Sequence, residues 1–162
     1  MRILAIDPGN TESGFVVIER TTCKPITVGK VSNDYLRGWI NSGEPLVGVN
    51  QIAIEMVASY GMPVGKDVFE TCVWIGRFFE LTHLDFNTDL IYRKAVKLHL
   101  CGTTQAKDPN ITQALVDRFA SGVGNHGKGS KAAPGWFYGF KADIWAAYAL
   151  AVYVADLDRR VA

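Results

Sequence analysis

Three carboxylates stand at positions where an acidic side chain is costly. Asp7 ends the apolar run Arg2-Ile3-Leu4-Ala5-Ile6, at the turn Asp7-Pro8-Gly9-Asn10. Glu55 lies near the end of a second apolar run, Ile52-Ala53-Ile54-Glu55-Met56-Val57. Asp143 opens an Ala-rich stretch that continues to about Arg160. A carboxylate among apolar neighbours needs something positive to compensate it. Three that converged would repel one another unless divalent cations sat among them, and hard oxygen donors of this kind suit Mg²⁺ or Mn²⁺. Each acid also has a plain structural account, as a salt-bridge partner or, for Asp143, as a helix cap. The pattern alone leaves both open.

The elements that must position these acids read as strands first and helices after. Residues 2–6 are a buried strand stopped by turn residues. Residues 14–19 are β-branched and read as its hairpin partner, and residues 26–31 as a third strand. Residues 33–50 are weakly patterned, and residues 51–57 form the acidic strand. Gly61, Pro63 and Gly65 make residues 59–66 a loop. The period then changes: Val68, Cys72, Ile75 and Phe79, with Phe69 and Phe78 beside them, predict a helix over 67–81 capped by Asp67. A strand near 88–92, short helices over 94–101 and 111–119, and a final helix over 142–160 follow. Residues 121–139 hold six glycines and read as a long flexible loop. This order predicts an α/β fold, a mixed sheet flanked by helices, without internal repeats.

Composition narrows the function classes. The chain has 162 residues, 48% hydrophobic and 20% charged, which fits one compact domain over 1–162 with a real core. The formal charge is only +1, but residues 1–92 carry a net −4 and residues 93–141 a net +6. An acidic half beside a basic stretch is what a metal-loading site next to a phosphate-binding surface would need. A charge early in the chain and the lack of any run of about 18 apolar residues predict a soluble cytoplasmic protein with no membrane partner. Three cysteines make no disulfide framework, and His83, His99, Cys23, Cys72 and Cys101 show no zinc spacing. Cys72 is expected as a buried thiol, and His126 as a polar loop residue. Gly127-Lys128-Gly129-Ser130-Lys131 lies too far from any strand–helix turn to be a P-loop, so no nucleotide cofactor is expected.

Several segments, in order, resemble the RuvC-like Holliday junction resolvases of the RNase H-like superfamily. Ile6-Asp7-Pro8-Gly9-Asn10-Thr11-Glu12-Ser13-Gly14 resembles their opening strand and turn, and Ala53-Ile54-Glu55-Met56-Val57 their second acidic strand. Tyr92-Arg93-Lys94-Ala95-Val96-Lys97 and Gln105-Ala106-Lys107-Asp108 are similar to the basic segment, and Ala142 to Ala151 to the final helix. The wording of residues 56–79 looks closest to bacteriophage members.

The resemblance implies an RNase H-like fold and a crossover junction endodeoxyribonuclease, acting in a bacterial cell or a phage-infected host. It implies two Mg²⁺ or Mn²⁺ ions, with Asp7 bridging them and Glu55 and Asp143 at the flanks. Lys107 matches a catalytic-region lysine, which would stabilise charge on the phosphate oxygens. Four-way junctions are recognised by shape, chiefly through phosphates. Arg93, Lys94, Lys97, Lys128 and Lys131 are the expected phosphate contacts, and Tyr60 and Met62 are placed to insert at the junction centre or to pack at a dimer contact. Two symmetric cuts call for a two-fold homodimer, and the nearly all-round apolar helix over 67–81 offers a second partner surface.

One position departs from the family. The final helix usually carries two acids three residues apart, and the second position here is Ala146. Either three core acids suffice, or the fourth was removed and the protein is silent, or Asp117, Asp67 or Glu70 compensates. A binding module without activity and an RNase H-like nuclease for forks, flaps or RNA–DNA hybrids stand as the alternatives.

Overall fold

A computed structural model describes the backbone of residues 1–161 and the side chains through Leu157. Five strands form one sheet: β1 (Arg2–Asp7), β2 (Glu12–Glu19), β3 (Pro25–Ser32), β4 (Val49–Met56) and β5 (Asn87–Tyr92), in the order β3-β2-β1-β4-β5. The first three make an antiparallel meander, and β4 and β5 lie parallel to β1. Parallel neighbours need crossovers. Helix α1 (Asn33–Asn41) precedes β4, and α2 (Lys66–Thr82) joins β4 to β5. Helices α3 (Arg93–Cys101), α4 (Asp108–Phe119) and α5 (Asp143–Val161) complete the chain. The mixed α/β architecture expected from the sequence is the one observed.

The two-residue period of the strands builds a core on each face. Ile3, Ala5, Val16, Ile18 and Ala53 pack against Val96 of α3, Leu115 of α4 and Tyr148 of α5. Leu4, Ile6, Val17, Ile52 and Ile54 pack against Leu36 and Ile40 of α1 and Ile75 and Phe78 of α2. Each such buried Leu, Ile or Val side chain contributes about 2 kcal/mol of transfer free energy. Among the described residues, no helix is long and apolar enough to cross a membrane.

Four local expectations are corrected. Residues 33–41 are helical, because the Ser32 side chain accepts a hydrogen bond from the Tyr35 N–H and Leu36 and Ile40 are buried one turn apart. The N-cap of α2 is Gly65 rather than Asp67, which sits in the first turn and accepts a hydrogen bond from Asn10. Cys72 is exposed, since the buried stripe of α2 is Thr71, Ile75, Phe78 and Thr82.

The glycine-rich stretch has a defined course, with a short turn at Asn125–Gly127 and a bridge between Gly129 and Pro134. Aromatic residues pin it: Phe137 is fully buried, and the Trp136 indole N–H donates to the Tyr148 hydroxyl, which itself donates to the Cys23 carbonyl. Gly127 has φ +68°, and a Cβ there would stand 2.4 Å from that of Ala120.

Candidate functional site

Strand alternation decides which side chains reach the site. Asp7 is in phase with Ile3 and Ala5, and Glu55 with Ala53, so both point to the face covered by α5. Ile6 pairs with Ile54, so the two acids leave neighbouring strands at one level. Across the other edge of β1, Asp7 pairs with Gly14, and Gly14 pairs with Lys30. Asp7, Gly14 and Lys30 therefore form one rung across three strands. The middle of that rung must be glycine, because a Cβ on Gly14 would stand 2.7 Å from the Asp143 carbonyl and 2.9 Å from its Cβ. The start of α5 rests on this gap, and Lys30 Nζ lies 2.7 Å from Asp143 Oδ2.

The turn after Asp7 is held by a buried pair. Asn33 Nδ2 donates to the Gly9 carbonyl at 2.9 Å, and the Ser13 hydroxyl donates to Asn33 Oδ1 at 2.6 Å. Gly9 permits the tightness, since a Cβ there would meet the Glu12 carbonyl oxygen at 2.4 Å.

Asp7, Glu55, Arg93, Asp108, Asp143 and Ala146 line one cleft of about 680 Å³. Arg93 bridges two of its acids: Nη1 reaches both oxygens of Glu55, at 3.0 and 3.2 Å, and Nη2 donates to Asp108. Burial first, and the Glu55 carboxylate second, push the Asp7 carboxyl up to about 8, against the opposing pull of Arg93. Burial likewise raises Glu55, again against Arg93. Carboxylates in this state are short of positive charge. Asp7 and Glu55, as hard oxygen donors on adjacent strands, fit a divalent cation such as Mg²⁺ or Mn²⁺. Among the described residues, no three or more His, Cys, Asp or Glu side chains are placed to hold one ion together.

The basic residues divide between surfaces. Lys94, Lys97 and Tyr60 line a neighbouring cavity of about 370 Å³, with Thr104 and Gln105, and Arg93 lines both cavities. Lys94 Nζ lies 5.8 Å from the Tyr60 ring centre. Tyr60 and Met62 are exposed. Lys107 occupies the N-cap of α4, one residue before Asp108, with its side chain in solvent outside the acidic cleft. Lys128 directly precedes the Gly129–Pro134 bridge, and Lys131 lies within the loop that the bridge closes. Asp117 accepts from Gln113, and Asp67 and Glu70 from Asn10; none of the three lines the cleft.

Sequence reasoning gave no site role to Asp108 and His126, which line the cleft, or to Lys30, which pairs with Asp143. Asp108 lay inside a basic segment, where a lone acid was a hint. Lys30 shares the phase of Val28 on β3, a signal readable only once the register is known.

No family model and no curated protein matches the chain. Two solved structures of Thermus thermophilus RuvC do, one of them in complex with a Holliday junction substrate. The first is 17% identical with a TM-score of 0.66, over 99% of this chain and 97% of that one. The second is 16% identical with a TM-score of 0.66, over 99% and 96%. The fold is RuvC-like. At this identity the likeness is one of fold, and the RuvC-like sheet is what brings β1, β4 and the start of α5 together.

Proposed function

We propose that the chain is a structure-selective endodeoxyribonuclease that cuts four-way DNA junctions with Mg²⁺ or Mn²⁺. The observation that carries this reading is that Asp7, Glu55 and Asp143, from three elements distant in sequence, line one cleft that continues through Arg93 into a basic, Tyr60-bearing surface. The RuvC-like fold supports it.

Asp7, Glu55 and Asp143 are the residues that would hold the metal, with Asp7 the shared ligand. A cation bound there supplies neutralisation of charge on the reacting phosphoryl group. Arg93 orients Glu55 and holds α3 and α4 against the acidic strand. Lys94 and Lys97, on the next surface along α3, bind phosphates flanking the cut. Lys107, Lys128 and Lys131 bind backbone further out, and exposed Tyr60 and Met62 offer apolar surface to unstacked bases at the crossing.

Two equivalent cuts would come from a two-fold homodimer. Its interface is the outer face of α2, where Phe69, Cys72 and Val73 are exposed. The protein would serve DNA recombination or repair in the cytoplasm of a bacterium or a phage-infected host.

The test is a panel of labelled junction, fork, flap, duplex and RNA–DNA hybrid substrates with Mg²⁺ or Mn²⁺. Symmetric junction cuts are expected, and preferential cutting of another substrate would overturn the junction reading. A second reading, a silent junction-binding protein, is favoured by Ala146 in the cleft and by the cations already paired with Glu55 and Asp143. Tight junction binding without cleavage would decide for it.

A further inference from the structure

We propose, resting on the nuclease reading above, that Arg93 is a displaceable clamp. It holds Glu55 until a divalent ion takes that carboxylate, then turns on Asp108 and donates to a DNA phosphate at the mouth of the cleft. The geometry of its fork carries the argument. A guanidinium locked on one carboxylate sets two nitrogens against two oxygens. Here the fork is split: Nη1 alone serves both Glu55 oxygens, at 3.0 and 3.2 Å, and Nη2 serves Asp108. Each half can open while the other stays closed.

The two partners are unequal. The Glu55 side chain is 12% exposed and that of Asp108 77%. An ion pair with so open an acid contributes little to stability, and the Asp108 charge adds to the burial that already raises Glu55. What Asp108 supplies is an anchor. It stands in the first turn of α4, where the Lys107 N–H donates to Asn110 Oδ1 at 2.9 Å and Pro109 stiffens the chain. Arg93 lines both the acidic cleft and the basic cavity of Lys94 and Lys97, so a DNA backbone running from one to the other passes its guanidinium. The ligand set of Asp7, Glu55 and Asp143 is kept. Only Glu55 is contested by Arg93, while Lys30 and Glu12 stand at the other end, beside Asp143. Asp108 is thus a positioning residue: it keeps Arg93 at the rim once Glu55 is released, and lowers the cost of that release.

The test titrates the full chain with Mn²⁺ alone, by calorimetry, across a double-mutant cycle. Arg93→Met removes the competing charge, and Mn²⁺ should bind about tenfold tighter than to the parent. A fixed clamp that only orients Glu55 predicts the opposite sign. Asp108→Asn should weaken Mn²⁺ about fivefold in the parent and less than about twofold beside Arg93→Met, because the anchor acts through the arginine. Asp108→Glu should restore the parent affinity. Arg93→Lys keeps the charge without the fork and takes the place of Arg93→Met if that chain does not fold; the Asp108→Asn effect should shrink there too. Junction binding gives the second readout. When Ca²⁺ replaces EDTA, the log–log salt slope of the parent should steepen by about 1 per chain more than that of Arg93→Met. Mn²⁺ binding no tighter to a folded Arg93→Met chain, equal Asp108→Asn effects in both backgrounds, or equal changes of slope would each overturn the inference and leave the metal-nuclease reading standing. A chain that binds no Mn²⁺ with or without Arg93 would overturn both.

Discussion

Arg93 donates from one guanidinium nitrogen to both carboxylate oxygens of Glu55, and from the other to Asp108. The pair ties the acidic strand β4 to α3 and α4 through a largely buried contact, with the Glu55 side chain only 12% exposed. Removing one partner of such a pair leaves a buried charge uncompensated, at a cost of about 3 kcal/mol. Arg93→Ala should therefore unfold at lower urea than the parent in EDTA, and Mg²⁺ should narrow the gap by replacing the missing charge. An unchanged urea midpoint would show that the pair contributes nothing to the fold.

Asp7 gives the pH dependence a definite sign. Its carboxyl is raised to about 8 from an ordinary 3.8, first by burial and then by Glu55. Between roughly pH 4 and pH 8 the folded chain holds a proton that the unfolded chain has released, so stability falls as pH rises through that window. Asp7→Asn cannot ionise and should melt above the parent at pH 8 in EDTA, with the difference closing near pH 4. It should also abolish metal-dependent cleavage while leaving junction binding largely intact. Melting curves that stay parallel across the window, or cutting at the parent rate, would remove Asp7 from this role.

Phe69 is 62% exposed on a helix whose opposite stripe already fills the core. Phe69→Glu combined with Val73→Glu should leave the melting temperature nearly unchanged and convert a dimer to a monomer in sedimentation at micromolar concentration. A parent that sediments as a monomer, alone and on junction DNA, would refute the α2 interface.

Lys128 precedes a backbone bridge and Lys131 lies within the short loop it closes, ahead of the aromatic anchors. Their charges have little packing work to do. Replacing both with Ala should weaken binding similarly across junction sequences and flatten the log–log salt slope by about 2. A loss confined to one sequence, at unchanged slope, would indicate base readout.

Ala146 lines the acidic cleft three residues after Asp143. Ala146→Asp brings a further carboxylate to an already crowded site. Junction cleavage should change by less than about tenfold, with a lower melting temperature in EDTA. A silent parent rescued by the substitution would show instead that the fourth acid had been removed from a working enzyme.

The sequence by itself determined the strands, because short apolar and β-branched runs bounded by turn residues are local signals. It marked Asp7, Glu55 and Asp143 because acids that interrupt apolar runs stand out in one dimension. It said less about α1, whose two buried residues, Leu36 and Ile40, are too few to announce a helix without their partners. It misdescribed residues 121–139, where six glycines outweighed the aromatic anchors on paper, while burial of Phe137 outweighs them in the folded chain. Only the tertiary structure decided which cation meets which acid. Lys30 and Asp143 are more than a hundred residues apart. They meet because β3 pairs with β2 in one register, β2 carries a glycine at that rung, and α5 begins in the gap that glycine leaves. Register and helix placement are set by the burial of both sheet faces together, and neither can be read from any one segment.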